Sequence, residues 1–466
     1  MYSETQYLQM PSGLNNVAIH ITTDKENDID LKNSPFINIY IYDTNDQLRV
    51  QALYRGEQLI CEIGEQKASE GCFKGNIQAG TWKAVIVSEK EYAPIKITFN
   101  PFREEVKQLQ QPLKQEEQSV KSVSKWYGGD FHTHTRLSDG SLRLDEVSEV
   151  MQKNVLDFVF LTDHNMYPSE LDEKKGIFKG MELTLASGHM NIHGVEREGI
   201  LKEAKNLKYF IEKVENSKGC LEEIIMAIKG CNRSINHPFM APWAYQYEKL
   251  PLSTIQTIEV ICDPTWKTAT KANEKALRFW YFLNRHGHYI VGIGGSDSHL
   301  PYGECYEWAK TPSWYGDPTT YVWTQACKLN DIIEGVHQGR VYVSRGPKLE
   351  MSINKGKYLP GDNIAEKQLE YKVKAFHCAE KIYVDLVICK KTCLKKERKV
   401  LLVEQDICFE MDLEEEDEWI SLELRNEEEA LIGFVNPIYR KRKMPQFVTW
   451  GEAVKAFEAE EDKAND

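Results

Sequence analysis

Apolar and polar residues alternate along the first hundred positions of this chain. The run Phe36-Ile37-Asn38-Ile39-Tyr40-Ile41-Tyr42 predicts a strand that turns at Asp43-Thr44-Asn45-Asp46. Residues 80–87 predict another strand led by a glycine turn, and 95–99 a third. Short strands separated by turn signals point to a small β-sandwich over residues 1–100. Residues 101–125 are rich in Gln, Glu, Lys and Ser and read as a linker or partly helical connector. From Trp126 to Pro347 strands alternate with helical periods. Leu142, Leu144, Val147, Val150 and Met151 follow Ser141, an N-cap candidate, at helical spacing. Residues 220–229 read as a helix closed by Gly230. Residues 270–286 read as a stronger one, with Ala272, Ala276, Phe279, Trp280 and Leu283 on one face and Gly287 beyond its end. After Pro347 strict alternation returns at 369–376 and 381–387, predicting a second small β-sandwich over 348–440. Residues 441–466 form a helical, acidic tail.

At 466 residues the chain exceeds one compact core, so two or three domains are expected. Its 71 acidic against 58 basic residues give a net charge of -13, which argues against a nucleic-acid-binding surface. The first residues carry neither a basic stretch nor an apolar one, and no apolar run approaches the roughly 20 residues of a membrane span. Neither a signal peptide nor a membrane span is expected, and the cytoplasm is the default location. The eleven cysteines are scattered; only Cys389 and Cys393 lie close together, without a second pair to complete a zinc site. Reduced, buried, inert thiols are expected.

Chemistry enters at the ends of the apolar runs. His132 and His134, two apart on a strand, share one face and can grip one ion. Ser138-Asp139-Gly140 brings a carboxylate from the following loop. Phe158-Val159-Phe160-Leu161 ends at Thr162-Asp163-His164-Asn165, where Asp163 is a candidate to orient a ligand. Ile290-Val291-Gly292-Ile293 runs into Gly295-Ser296-Asp297-Ser298-His299, repeating the two-apart geometry. Between them lie Glu182, His189, His193 and His237. Any one of these residues is an ordinary polar side chain; together they place metal-ligand chemistry at one rim of a sheet or barrel.

In this order the motifs resemble the PHP (polymerase and histidinol phosphatase) superfamily, and within it the CehA/McbA-type metal-dependent hydrolases. The likeness covers residues 126–347, with softer matches at Ala79-Gly80-Thr81-Trp82 and Ser344-Arg345-Gly346-Pro347. It implies a distorted (β/α)7 barrel, flanked by the two β-sandwiches, holding up to three divalent ions (Zn, Mn or Fe). His132, His134, Glu182 and Asp297 would hold the first. Glu182 would bridge to a second, completed by His189 and His237. Asp139, at a position often histidine elsewhere in the superfamily, would join His164 and His299 around the third. The Gly-His-x-Asn pattern favours His189 over His193 as ligand, leaving His193 to face the substrate or brace a ligand.

The resemblance further implies a hydrolase using a metal-bridging hydroxide, with Glu182 and Asp297 central to catalysis and no Ser or Cys nucleophile. Phosphodiesters or small phosphomonoesters are the expected substrates, with Arg136 a candidate contact for a phosphate oxygen. Ester, carbamate or amide hydrolysis by the same hydroxide is the alternative. A binding module with a vestigial metal site is a third reading, opposed by the full ligand set. The partner expected is a small-molecule substrate, with homo-oligomerisation left open.

Overall fold

The structure is a computed structural model describing residues 2–23, 37–56, 58–88, 92–101, 124–168, 171, 175–185, 187–194, 231–300, 304–376, 381–391, 393–402 and 405–465. The helix expected at 220–229 and most of the expected linker lie outside these residues. The chain divides into two compact units. One contains the described residues up to 101 together with 165–168; the other contains the rest.

The first unit has seven strands: β1 (Tyr2–Met10), β2 (Asn16–Thr23), β3 (Ile37–Tyr42), β4 (Leu48–Tyr54), β5 (Leu59–Gly64), β6 (Gly80–Ser88) and β7 (Ile95–Pro101). They form two antiparallel sheets, ordered β1-β6-β3-β4 and β5-β2-β7. Both sheets contribute to one apolar cluster, with Val17, Ile19 and Ile21 from β2, Ile39 and Ile41 from β3, and Trp82 and Ile86 from β6. The alternation that predicts these strands therefore marks the faces buried between the sheets.

In the second unit seven strands stand side by side in chain order. They are β8 (Lys125–Thr133), β9 (Phe158–Leu161), β10 (Ile177–Leu185), β11 (Gly188–His193), β12 (Asn232–Ile235), β13 (Thr257–Cys262) and β14 (Val291–Gly295). Neighbours are parallel except at β11, which runs antiparallel to both β10 and β12. This departs from a regular (β/α)7 repeat, and chain length explains it. Only residues 186–187 separate β10 from β11, enough for a hairpin, whereas a parallel return needs a crossover of a dozen or more. At the histidine-bearing end Asp297 N donates to His132 O (2.8 Å) and His134 N to Ser298 O (3.2 Å). The chain leaving β14 is thereby joined to the end of β8.

The sheet continues beyond β8 through β15 (Thr319–Thr324) and β16 (Val341–Ser344). The next strands are β17 (Lys348–Ile353), β18 (Gln368–Phe376), β19 (Ile382–Lys390), β20 (Leu394–Leu401), β21 (Asp406–Asp412), β22 (Asp417–Arg425) and β23 (Leu431–Tyr439). β16 pairs with β23, so one sheet runs on as β23-β22-β19-β20 and crosses the boundary expected at 347/348. A separate sheet, β17-β18-β21, shares an apolar cluster with it that includes Leu349, Tyr371, Val373, Leu386, Leu422 and Val435.

Helices are few among the described residues: α1 (Val147–Lys153), α2 (Ala269–Arg285), α3 (Leu329–His337) and α4 (Trp450–Asn465), with a short turn of 3₁₀ helix at Leu252–Thr254. Ser141 does not cap α1, which starts one and a half turns later after Glu146. The tail helix α4 begins at a reciprocal cap: Thr449 Oγ1 accepts from Glu452 N, and Glu452 Oε2 from Thr449 N (both 3.3 Å). Its Trp450 and Phe457 pack on Phe279 of α2. The architecture is mixed α/β, dominated by one large mixed sheet. No described helix is long and apolar enough to cross a membrane.

Candidate metal centre

The ends of β8, β9, β11, β12 and β14, with Glu182 from within β10, converge on one buried polar chamber. Asp297 Oδ1 lies 3.1 Å from His132 Nε2 and 2.9 Å from His134 Nε2, so the two-apart histidines do share a face. Glu182 on β10 faces the same pair, Oε1 at 3.2 Å from His132 Nε2 and Oε2 at 3.5 Å from His134 Nε2. These four buried residues bring ligand atoms close enough to hold one ion.

Glu182 also faces outward from that group. His164 Nδ1 is 2.7 Å from its Oε2, His189 Nδ1 3.1 Å from its Oε1, and His237 Nε2 3.5 Å from its Oε1. The tighter second group is His164, Glu182 and His189. His237 stands further off, 4.0 Å from Asp297 Oδ2. A third group gathers His134, Asp139, His164 and His299. Asp139 Oδ1 is 3.3 Å from His299 Nε2, 3.6 Å from His164 Nε2 and 3.7 Å from His134 Nδ1. Thus all nine residues expected as ligands meet in one place. His164 and His134 each border two groups, which spacing along the chain does not reveal.

The donor atoms suit a cation. His132 Nε2, His134 Nε2 and Asp297 Oδ1 are buried, crowd one another and make no hydrogen bond. Leaving such atoms unpaired costs roughly 1–3 kcal/mol each, and a divalent ion ligated by all three removes that cost. Mixed imidazole and carboxylate donors match Zn, Mn or Fe. In the metal-free chain burial, reinforced by the neighbouring His299 and His164, pushes His134 down to about 3. Its lone pair is therefore free at neutral pH. Burial works against ionised Glu182, but the surrounding imidazoles, His132 foremost, hold its carboxyl well below the usual range.

Several supporting residues carry no motif. Glu259, on the largely apolar and fully buried β13, takes His132 Nδ1 at 2.8 Å on Oε1 and accepts His237 N at 2.9 Å on Oε2. Asp130 accepts His132 N (3.0 Å) and Ser296 N (3.1 Å) on one oxygen and Gly316 N (2.6 Å) on the other. Asn236 Nδ2 donates to Glu182 Oε1 at 2.8 Å. The available signal was a lone acid inside a buried strand, which is expensive without a partner. At Gly295 a Cβ would stand 2.4 Å from the His132 Cβ, so only glycine lets β14 approach. Asp297, His237 and Asp263 hold φ of 49°, 28° and 32°, a left-handed conformation that non-glycine residues adopt at a cost and that clusters at functional sites.

Three expectations change. His193 does not face a substrate: it is fully buried, its Nε2 donating to Phe131 O (2.7 Å) and its Nδ1 accepting from Asn232 Nδ2 (3.0 Å). Its ring packs against Phe131 and Phe160. His189 and His193 share a face of β11, but four residues of strand, about 13 Å, separate them. Asp163 braces no histidine directly. It accepts from Thr135 N, Thr135 Oγ1, Ser138 N and Ser138 Oγ at 2.7–3.0 Å, fixing the loop that leads to Asp139. Arg136 is exposed, its Nε donating to Ser141 O, and belongs to none of the three groups.

No family model and no curated protein matches this sequence. Among solved structures it is similar to a two-domain protein from Bacteroides vulgatus ATCC 8482 containing a predicted PHP-like metal-dependent phosphoesterase. That likeness has 15% identity, covers 68% of this chain and 96% of the other, and has a TM-score of 0.36. It is also similar to an amidohydrolase from Chromobacterium violaceum with bound sulfate and no metal. There the identity is 17%, the coverage 39% of this chain and 93% of the other, and the TM-score 0.24.

Proposed function

We propose that this chain is a cytoplasmic metal-dependent hydrolase of the PHP superfamily, in the CehA/McbA-like branch, and that it cleaves phosphodiesters or small phosphomonoesters. The observation that carries this reading is the contiguity of three potential ion sites: two share the carboxylate of Glu182, and the third is joined to them through His134 and His164. Under it the seven strands β8–β14 are a distorted barrel closed by the backbone bonds Asp297 N to His132 O and His134 N to Ser298 O.

Bound divalent ions supply Lewis acidity, activating water near neutral pH and drawing charge from the leaving oxygen. The protein supplies the rest. His132, His134, Glu182 and Asp297 would hold one ion; Glu182, His189 and His164, with His237 beside them, would hold another; Asp139, His164, His299 and His134 would hold a third. Glu259 keeps His132 in the tautomer whose Nε2 lone pair faces the ions. Asp130 and Asn236 fix the backbone of β8 and the carboxylate of Glu182, so the ligands need little reorganisation when substrate arrives.

Purified protein loaded with Mn²⁺ is expected to hydrolyse bis(p-nitrophenyl) phosphate, with loss of turnover in chelator and in His132→Ala. Metal-loaded protein that ignores this diester but cleaves an aryl carbamate or ester would move the assignment to the alternative hydrolase. Metal-loaded protein inert toward both would overturn the reading.

A further inference from the structure

A second cleft, about 810 Å³ in volume, opens at the opposite end of β8 from the ligands. Its lining is fixed by hydrogen bonds. Arg345, from the Ser344-Arg345-Gly346-Pro347 motif, holds Asp317 with two of them, Nε to Oδ1 at 2.7 Å and Nη2 to Oδ2 at 2.9 Å. Asn154 Nδ2 donates to Tyr315 O (2.8 Å), Thr319 Oγ1 to Gly316 O (2.6 Å) and Gly128 N to Asp157 Oδ2 (2.9 Å). Two residues of the lining gain nothing from the fold itself. Val155 occupies the position just past α1 where glycine is the usual residue. It stands at φ 56°, which a β-branched residue adopts only at a cost, and its side chain is 86% exposed. Lys348 is exposed and has no ion-pair partner among the described residues, whereas Lys125 and Arg345 face Asp157 and Asp317. A strained apolar side chain and an unmatched ammonium, both left in water on one preformed cleft, are the two halves of a ligand contact.

We propose that this cleft is a regulatory site for a small organic anion with an apolar body, and that its occupancy shifts the ion affinity of the metal centre. The charge of the ligand follows from the lining: Lys125, Arg345 and Lys348 stand against Asp157 and Asp317, which leaves one positive charge to match. Its apolar body follows from Val155 and from the ring of Tyr321, which is stacked on Tyr342 at 4.5 Å. The coupling runs through residues 314–317, which line the cleft and reach the metal centre. Tyr315 OH donates to His134 O (2.6 Å) and Gly316 N to Asp130 Oδ2 (2.6 Å). The other oxygen of Asp130 accepts from His132 N and from Ser296 N, next to Asp297. A ligand that displaces this segment therefore acts on the backbone of three expected ion ligands. Linkage makes the effect reciprocal, so ions at the centre change the affinity for the anion by the same factor. The proposal goes beyond the hydrolase reading and takes from it only that the centre binds divalent ions.

Isothermal titration calorimetry of the full chain with 1-octanesulfonate reads both halves of the proposal. The metal-free protein is expected to bind the sulfonate saturably, and to bind octyltrimethylammonium at least about tenfold more weakly. Lys348→Glu should weaken the sulfonate by about tenfold. Val155→Gly should raise the midpoint of urea unfolding, because glycine accepts the left-handed conformation, and should still weaken the sulfonate several-fold. A merely structural valine would move stability alone. Saturating Mn²⁺ should change the sulfonate Kd by about fivefold, and Tyr315→Phe should shrink that change while holding the metal-free Kd within about twofold. No saturable binding, equal binding of the cation, or unchanged affinity in either Lys348→Glu or Val155→Gly would overturn the site. A Kd indifferent to Mn²⁺ would overturn the coupling. Because the site is read on metal-free protein and no turnover enters, its failure and that of the hydrolase reading are told apart.

Discussion

Glu259 grips His132 from behind, Oε1 to Nδ1 at 2.8 Å, while its other oxygen accepts the backbone N–H of His237. One carboxylate on β13 therefore sets two candidate ligands from different strands. Fixing the far nitrogen of a ligating imidazole tunes its basicity and orientation, and losing such a partner typically lowers metal affinity 10–100-fold. Glu259→Gln keeps the volume but replaces one acceptor with a donor. Its metal dissociation constant, read by titration into apo protein, should rise by about that factor. An unchanged constant would remove Glu259 from the centre.

His193 should behave oppositely. Buried among phenylalanines with both ring nitrogens engaged, it contributes packing and two hydrogen bonds. His193→Ala is expected to destabilise the fold by about 2–4 kcal/mol in urea unfolding, through the cavity and the unpaired Phe131 carbonyl and Asn232 amide. The ion affinity of the protein that remains folded should move far less than in Glu259→Gln.

The contrast between these two residues shows what the sequence carries. His132, His164, His189, His237, Asp297 and His299 stand at or just beyond strand ends and Asp139 in the turn after β8, where local pattern exposes them, while Glu182 lies inside β10. His193 follows the same parity on the same strand as His189, and only depth along β11 separates ligand from core, a quantity set by pairing with β10. Glu259 and Asp130 gave only the weak signal of a lone acid in a strand, for a related reason: such an acid gains its meaning from the partner across the sheet. Strands were legible where alternation was strict, as in β3, β6 and β18. The reversed strand β11 and the continuation of the large sheet into β23 depend on loop length and long-range pairing, which periodicity does not encode.

Asp130 carries a pH signature. Burial pushes its carboxyl up from 3.8 to about 6, even though Gly316, His132 and Ser296 donate to it. A carboxyl whose folded value is raised gives stability that is fully present below the unfolded value and is lost as pH rises through the folded one. Between pH 7 and pH 5 the apo wild type should gain about 1.3 kcal/mol from this group. Asp130→Asn cannot gain it. Urea unfolding of both apo proteins at the two pH values should show the wild-type advantage growing toward acid. Parallel changes in the two proteins would mean that the carboxylate is already satisfied at neutral pH.

Metal removal should weaken the fold as well as any activity. His132 Nε2 and His134 Nε2 are buried 3.1 and 2.9 Å from Asp297 Oδ1, with no hydrogen bond to satisfy any of the three. An ion that binds only the folded chain adds about 4 kcal/mol when free metal stands a thousandfold above its dissociation constant. Mn²⁺ or Zn²⁺ should accordingly raise the unfolding temperature of chelator-treated protein, in proportion to the logarithm of free metal. His134→Ala removes the residue that borders both the first and third ion groups, and should flatten that dependence while leaving the apo protein close to wild type in stability or above it. The second half of this expectation follows from the same crowding: in the apo chain His134 is forced neutral with its Nε2 unpaired beside Asp297, so its removal relieves a cost that only the metal repays. A variant that loses apo stability but keeps its full metal-dependent shift would place the ion elsewhere.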